Sequence, residues 1–228
     1  FPIIDIRGDV IGFGGRVMDD STPKYLNSPD TPVYNKSRNV FALNIAKKSR
    51  AGPVILTEGY MDTISLHQAG FDSAVASLGT SLTAEHAQLL ARYFKDAVIA
   101  YDGDGAGVSA AQRAIPLLEK AGLKVRVLRV TGAKDPDEYI KSFGREAFAR
   151  LLDQSENHID YRLEQLRGRY DLSDDSQRVE FLREATGMIA SLHSAVEREI
   201  YGRHAAETAG VSPEAVAQEV KKAFQRRL

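Results

Sequence analysis

The chain has 228 residues, 43% of them hydrophobic, which suits one sizeable domain or two to three small subdomains and is too apolar for a disordered chain. It contains no cysteine, which removes disulfides, thiolate nucleophiles and cysteine-based zinc sites, and no stretch approaches the roughly 18 apolar residues of a membrane span. The net charge of −1 argues mildly against a nucleic-acid binder.

Whole-chain charge hides an asymmetry. Residues 1–50 carry Arg7, Arg16, Lys24, Lys36, Arg38, Lys47, Lys48 and Arg50 against five carboxylates, so a basic lobe is expected to face an acidic pocket. This stretch is rich in turn formers, among them Gly8-Asp9 and Asp19-Asp20-Ser21. Val10–Phe13 and Arg16–Met18 read as short strands, followed by irregular loops. Near Asn39 the pattern turns helical, with Val40, Leu43, Ile45 and Ala46 on one apolar face. The chain opens on Phe1-Pro2-Ile3-Ile4 rather than methionine, and reads as a piece of a longer polypeptide with no signal-like start.

From residue 52 to 140 strands and helices alternate. Pro53–Thr57, Ala74–Leu78, Ala97–Tyr101 and Val125–Val130 are short apolar runs. Helices are expected after Asp62, from Thr83 to Tyr93 with Thr83 as N-cap, and from Ala110 to Lys120. This alternation predicts a mostly parallel sheet covered on both faces, with ligands beyond the carboxyl ends of its strands. From Phe143 onward helix follows helix, with breaks near Ser155, residues 171–174, residues 192–194 and Gly210–Pro213. Phe181, Leu182, Ile189 and Leu192 read as core. The five histidines show no metal-ligand spacing and read as surface or core residues.

Acidic residues collect at three of the strand ends: Glu58 and Asp62, Asp102 and Asp104, then Asp135, Asp137 and Glu138. Each group has an ordinary explanation. Asp62 suits a helix cap, Asp102-Gly103-Asp104-Gly105 suits a turn, and Asp135-Pro136-Asp137-Glu138 suits a capped helix start. Three strand ends pointing the same way carry more weight than any one of them. Converging carboxylates repel and call for a cation, and hard oxygen ligands suit Mg²⁺ or Mn²⁺.

Glu58-Gly59-Tyr60-Met61-Asp62 followed by Asp102-Gly103-Asp104-Gly105-Ala106-Gly107 resembles the Toprim signature. With Ala76-Ser77-Leu78-Gly79-Thr80 between, it resembles the primase branch. Gly12-Phe13-Gly14-Gly15-Arg16 and Pro23-Lys24-Tyr25-Leu26-Asn27-Ser28-Pro29 resemble the basic subdomain that precedes Toprim in DnaG-type bacterial primases. The resemblance covers essentially the whole chain. It implies an α/β fold: the C-terminal part of a basic α+β subdomain at 1–50, a Toprim domain at 51–142 and a helical subdomain at 143–228.

It further implies an RNA polymerase that makes short primers from ribonucleoside triphosphates on single-stranded DNA, in the cytoplasm at the replication fork, with no membrane partner. Glu58, Asp102 and Asp104 resemble the main ligands of a catalytic Mg²⁺ or Mn²⁺, with Asp62, Asp135 and Asp137 lining the same pocket; Glu58 is alternatively the acceptor of the 3′-hydroxyl proton. Gly59, Gly103, Gly105 and Gly107 would let backbone approach phosphates. Arg16, Lys24, Tyr25 and Asn27 match the family's groove for template or nucleotide. The family's zinc module and its helicase-binding module are expected outside this chain. A Toprim nuclease, a non-catalytic DNA-binding module and an aspartyl phosphatase using Asp102 with Lys134 are the alternatives; a topoisomerase would need a tyrosine on a further large domain.

Overall fold

The computed structural model describes residues 1–19, 21–49 and 52–227. Asp20 and Arg50, named above in a turn and in the basic stretch, lie outside the described residues, as does the division drawn between residues 50 and 51. Residues cluster into two compact units, Phe1–Glu156 and Asn157–Leu228.

The first unit opens with a three-stranded antiparallel sheet, β1 (Pro2–Ile4), β2 (Val10–Arg16) and β3 (Tyr25–Asn27), in that order. The turn between β1 and β2 is built by Asp5, whose carboxylate accepts from the backbone N–H groups of Arg7, Gly8 and Asp9. Residues 25–27, expected in a loop, pair with β2, Gly14 opposite Asn27 and Arg16 opposite Tyr25. Three residues are too few to show a period of two. The helix expected near Asn39 shrinks to a single turn, α1 (Leu43–Ala46). Phe41 is instead bridged to Ala76 and Ala42 sits at φ 62, which blocks helix growth toward the N-terminus. Val40, Leu43 and Ala46 are buried as expected, but Ile45 is 47% exposed. It stands two residues from Leu43, some 200° around the helix axis.

The central sheet has the order β5-β4-β6-β7-β8. Its strands are β4 (Val54–Thr57), β5 (Ala74–Ala76), β6 (Asp96–Ile99) and β7 (Lys124–Val127), all parallel, with the two-residue β8 (Glu156–Asn157) last. Crossovers are α2 (Tyr60–Gln68), α3 (Ala84–Ala91) and α4 (Gly105–Lys120). All four residues of β4 are buried, as a central strand covered on both faces requires. The α/β alternation expected from the sequence is borne out. β4 ends with its apolar run at Thr57, whereas β5, β6 and β7 stop two or three residues before theirs because the residues after them leave the ladder to build loops at the carboxyl edge. After β7 comes α5 (Pro136–Asp153), interrupted at Gly144, where φ is 80.

Helix α3 is held at its start by a capping box. Thr83 Oγ1 accepts from His86 N at 3.1 Å and His86 Nδ1 accepts from Thr83 N at 3.2 Å. Thr83 Oγ1 also donates to the Ser37 carbonyl at 2.7 Å. Thr83→Ala is expected to cost about 1 kcal/mol, read as a fall of roughly 2–4 °C in the thermal unfolding midpoint.

The second unit holds α6 (His158–Arg167), α7 (Asp175–Ile189), α8 (Ala195–Ala209) and α9 (Pro213–Gln225). Asn157, Asp174, Ser194 and Ser212 cap their N-termini, and the breaks fall where Ser, Asp, Gly and Pro predicted them. Phe181 and Ile189 are fully buried with Leu166, Ala205 and Val220, while Leu182 and Leu192 pack against that core from its edge. Among the described residues no helix is long and apolar enough to cross a membrane.

Candidate active site

The carboxyl edge of the central sheet opens on a cleft of about 910 Å³. Glu58 follows β4 directly, and its Oε1 accepts from the Asp102 backbone N–H at 3.1 Å. That bond ties together the ends of the two adjacent strand extensions, β4 and β6. Asp104 caps α4, accepting from Gly107 N at 2.8 Å. Asp135 caps α5, accepting from Glu138 N at 2.8 Å, while Glu138 Oε2 accepts from Lys134 N at 2.8 Å. The Asp135 cap is the one expected from the sequence, whereas Asp104, read as part of a turn, caps α4, and Asp62, read as a cap, sits inside the first turn of α2 behind Gly59; both capping carboxylates line the cleft at the same time. Asp62, buried on the first turn of α2, accepts from Asp137 N at 3.3 Å.

Electrostatics separate these acids. Burial first, and then the charges of Glu58, Asp62, Asp135 and Asp104, push Asp102 up to about 7. Asp62 is pushed up to about 6 by burial and by Asp135. Glu58 is raised by burial, against the Asp102 N–H that lowers it, with a further rise from Asp104. Asp137 behaves oppositely. Burial alone would raise it, but hydrogen bonds from Lys141 and Ser65 outweigh burial and hold it below the usual range.

Among the described residues, no group of three or more His, Asp or Glu side chains is gathered closely enough to hold a metal ion as it stands. The residues nonetheless fit a hard divalent cation. Asp102 Oδ1 is buried and has no hydrogen-bond partner, an arrangement that costs free energy unless a cation supplies the missing interaction. The charges that bear on Asp102 are those of Glu58, Asp62, Asp135 and Asp104, carboxylate donors of the kind Mg²⁺ and Mn²⁺ prefer.

The raised values give a prediction with a definite sign. For a carboxyl raised in the fold, stability falls as pH rises from its ordinary value, 3.8, through the folded value, about 7 for Asp102 and about 6 for Asp62. The metal-free protein at pH 7.5 therefore carries the full penalty. Asp102→Asn is expected to raise the metal-free midpoint at pH 7.5 by roughly 2–4 °C, about 1 kcal/mol once the group's partial exposure to solvent is allowed for, with the gain vanishing near pH 4. Millimolar Mg²⁺ is expected to stabilise the parent more than the variant, a comparison made by thermal melts with and without metal.

The opposite wall comes from β2 and β3. Arg16, Lys24, Tyr25 and Asn27 all line the cleft, and the Arg16 guanidinium stands 5.6 Å from the centre of the Tyr25 ring. Gly59 and Gly103 line it too, but Gly105 and Gly107 do not. Gly105 faces open space, whereas Gly107 packs beneath Asp102 and Glu58. None of the five histidines lines the cleft. Several lining residues escaped sequence reasoning as site residues. Tyr60 donates its hydroxyl to Asn27 Oδ1, and Asn27 Nδ2 donates to the Leu78 carbonyl at 3.2 Å. Met61, Ser77, Gly79, Val130, Ala133 and Lys141 are the others. Tyr60 lies within the motif that pointed to Glu58, and Lys141 stands four residues after Asp137, the spacing of a helical ion pair.

Comparison with known proteins places this architecture. Family models described as "DNA primase catalytic core, N-terminal domain", "Toprim-like" and "DnaB-helicase binding domain of primase" match residues 1–47, 55–140 and 159–214. The last match corrects the expectation that a helicase-binding module lies outside this chain. A DNA primase of Clostridium acetobutylicum is 40% identical over 99% of the chain, which spans 38% of that relative's length. Among solved structures, a DNA primase domain from Pseudomonas aeruginosa superposes with a TM-score of 0.78 at 33% identity, over 97% of this chain and 71% of that one. A DnaG primase catalytic domain bound to single-stranded DNA superposes with a TM-score of 0.77 at 36% identity, over 94% and 70%. With its Toprim sheet, basic preceding strands and helical tail matched along nearly its full length, the chain belongs to the DnaG-type family of bacterial DNA primases.

Proposed function

We propose that this chain is the part of a primase that makes RNA primers from ribonucleoside triphosphates on single-stranded DNA. The observation that carries this reading is the buried, unpartnered Asp102 Oδ1, set where the charges of Glu58, Asp62, Asp104 and Asp135 converge and opposite a rim bearing Arg16 and Lys24. Glu58, Asp102 and Asp104 would hold Mg²⁺ or Mn²⁺, with Asp62, Asp135 and Asp137 lining the pocket. Bound there, the cation would supply charge neutralisation for the triphosphate and a lowered pKa for the attacking 3′-hydroxyl.

The chain's own residues do the positioning. Glu58 locks the Asp102 backbone through its N–H, so the two strand ends move as one. Arg16 and Lys24 bind template or nucleotide phosphates, and Tyr25 stacks on a base. Asn27 is fixed between Tyr60 and Leu78 and presents its amide beside them. The division 1–50, 51–142 and 143–228 assigns template grip, chemistry and helicase contact in turn, the last carried by the helices from α6 onward, in line with the family match at 159–214, since α5 crosses the 142/143 boundary and buries Phe148 with the central sheet. The reaction takes place in the cytoplasm at the replication fork.

The test incubates the protein with single-stranded DNA, labelled ribonucleotides and Mg²⁺ or Mn²⁺. Metal-dependent RNA products are expected. Metal-dependent loss of the DNA strand without RNA would establish a Toprim nuclease instead.

A further inference from the structure

Asp137, on the first turn of α5, has both carboxylate oxygens hydrogen-bonded to side chains. Oδ1 accepts from the Ser65 hydroxyl, and Oδ2 accepts from Lys141 Nζ at 2.7 Å. Its backbone N–H is fixed on Asp62. The carboxylate is 19% exposed and the lysine 64% exposed, so the pair runs from the cleft floor to its open side. Lys141 lines the cleft, one helical turn after Asp137 on α5.

An ion pair with so exposed a lysine contributes little to stability. It is cheap to exchange. Asp137 keeps its Ser65 partner when the lysine leaves, so the exchange strands no buried charge. We propose that Lys141 is a phosphate-binding residue, parked on Asp137 when no nucleotide is bound and transferring to the polyphosphate of an incoming nucleoside triphosphate. This rests on the nucleotidyl-transfer reading of the cleft and adds a specific contact to it.

Two further observations support it. Arg16, on the β2 wall, lines the same cleft as Lys141, so cations face it from β2 and from α5. A polyphosphate entering there meets a guanidinium on one side and an ammonium on the other, both suited to charge-assisted hydrogen bonds with phosphate oxygens. The lysine ammonium also has three donors on a flexible four-carbon stem. That stem lets the ammonium swing from Asp137 to a phosphate oxygen. No covalent bond changes in this step.

The experiment measures binding of a fluorescent ATP analogue with Mg²⁺, displaced by inorganic tripolyphosphate, in the full chain and in the Lys141→Gln and Lys141→Arg variants. Lys141→Gln is expected to weaken both nucleotide and tripolyphosphate about tenfold, the scale of one hydrogen bond to a charged group. In RNA synthesis its effect falls on KM for the nucleotide more than on kcat. Lys141→Arg is expected to recover affinity to within about threefold. Unchanged tripolyphosphate affinity in Lys141→Gln, with a lowered unfolding midpoint, would make Lys141 a structural counter-ion and overturn the proposal. So would a parent protein that binds no tripolyphosphate-displaceable nucleotide. A parent that shows the full binding pattern but makes no RNA would leave Lys141 as a phosphate contact and refute the polymerase reading alone.

Discussion

Glu58→Gln and Asp102→Asn are each expected to lower metal-dependent RNA synthesis on the order of a thousandfold, with the affinity for a single-stranded DNA oligonucleotide unchanged within about threefold. Both substitutions keep the shape of the side chain and remove its charge. Glu58→Gln retains a carbonyl oxygen that accepts from the Asp102 N–H, so the link between the strand ends survives while a metal-facing charge is lost. Asp102→Asn removes the carboxylate whose Oδ1 has no protein partner. Charge stabilisation by a bound metal contributes several kcal/mol to such a reaction, and about 4 kcal/mol corresponds to a thousandfold. On the proposed function DNA affinity rests instead on the cations of the other wall, Arg16 and Lys24, which line the cleft and which neither change touches. Because Asp102→Asn is also expected to raise metal-free stability, its loss of activity cannot be assigned to unfolding. RNA synthesis within tenfold of the parent in both variants would refute the acidic site. Loss of activity together with DNA binding would shift the role of these residues from chemistry to scaffold.

The parallel sheet was legible because its four strands are apolar runs of ordinary length separated by amphipathic helices. The helical unit was legible because Asp174, Ser194, Ser212 and Pro213 are start signals of high specificity. The acidic edge followed from topology, since Glu58, Asp102 and Asp135 each come directly after or near a strand end that points the same way. What escaped was whatever depends on contacts between distant segments. Tyr25–Asn27 becomes a strand only because β2 lies beside it, and the turn of helix at Leu43 is shortened by the bridge from Phe41 to Ala76, 35 residues away in the chain. The same limit applies within the site. The sequence places Asp137 beside Asp135 as one more acid. Only the packing of α2 against α5 brings Ser65 to Asp137 and gives it partners that Asp102 lacks. The glycines of the Asp-Gly-Asp-Gly-Ala-Gly run show it again: their expected role was close approach to phosphate, and spacing alone could not distinguish one from another.

Gly107→Ala should prove far more damaging than Gly105→Ala, although both lie in the first turn of α4. A Cβ at Gly107 would overlap the Asp102 carbonyl oxygen and stand 2.7 Å from Glu58 Oε1. Neither neighbour can give way freely: the first is backbone, and the second holds the Asp102 N–H. The helix start must therefore move, and Asp104 moves with it, since its carboxylate is anchored on Gly107 N. One added methyl thus displaces Asp104 and Glu58 from Asp102 together. Overpacking of this kind costs about 1–3 kcal/mol, or a fall of roughly 3–10 °C in the unfolding midpoint for a chain of this size, and RNA synthesis is expected to drop by at least about a hundredfold through misplacement of the reacting groups. At Gly105 the same methyl enters open space, so that variant is expected to keep its midpoint within about 2 °C, a surface change of less than about 0.5 kcal/mol. Melting curves and primer assays on the two variants side by side decide the matter. If Gly107→Ala matches Gly105→Ala in both, the close packing of α4 against the Glu58–Asp102 link is not what holds the acids in place. If only Gly107→Ala fails, the second half of the motif serves to seat a helix against the site, and the space at Gly107 is filled by the protein's own catalytic loop rather than by phosphate.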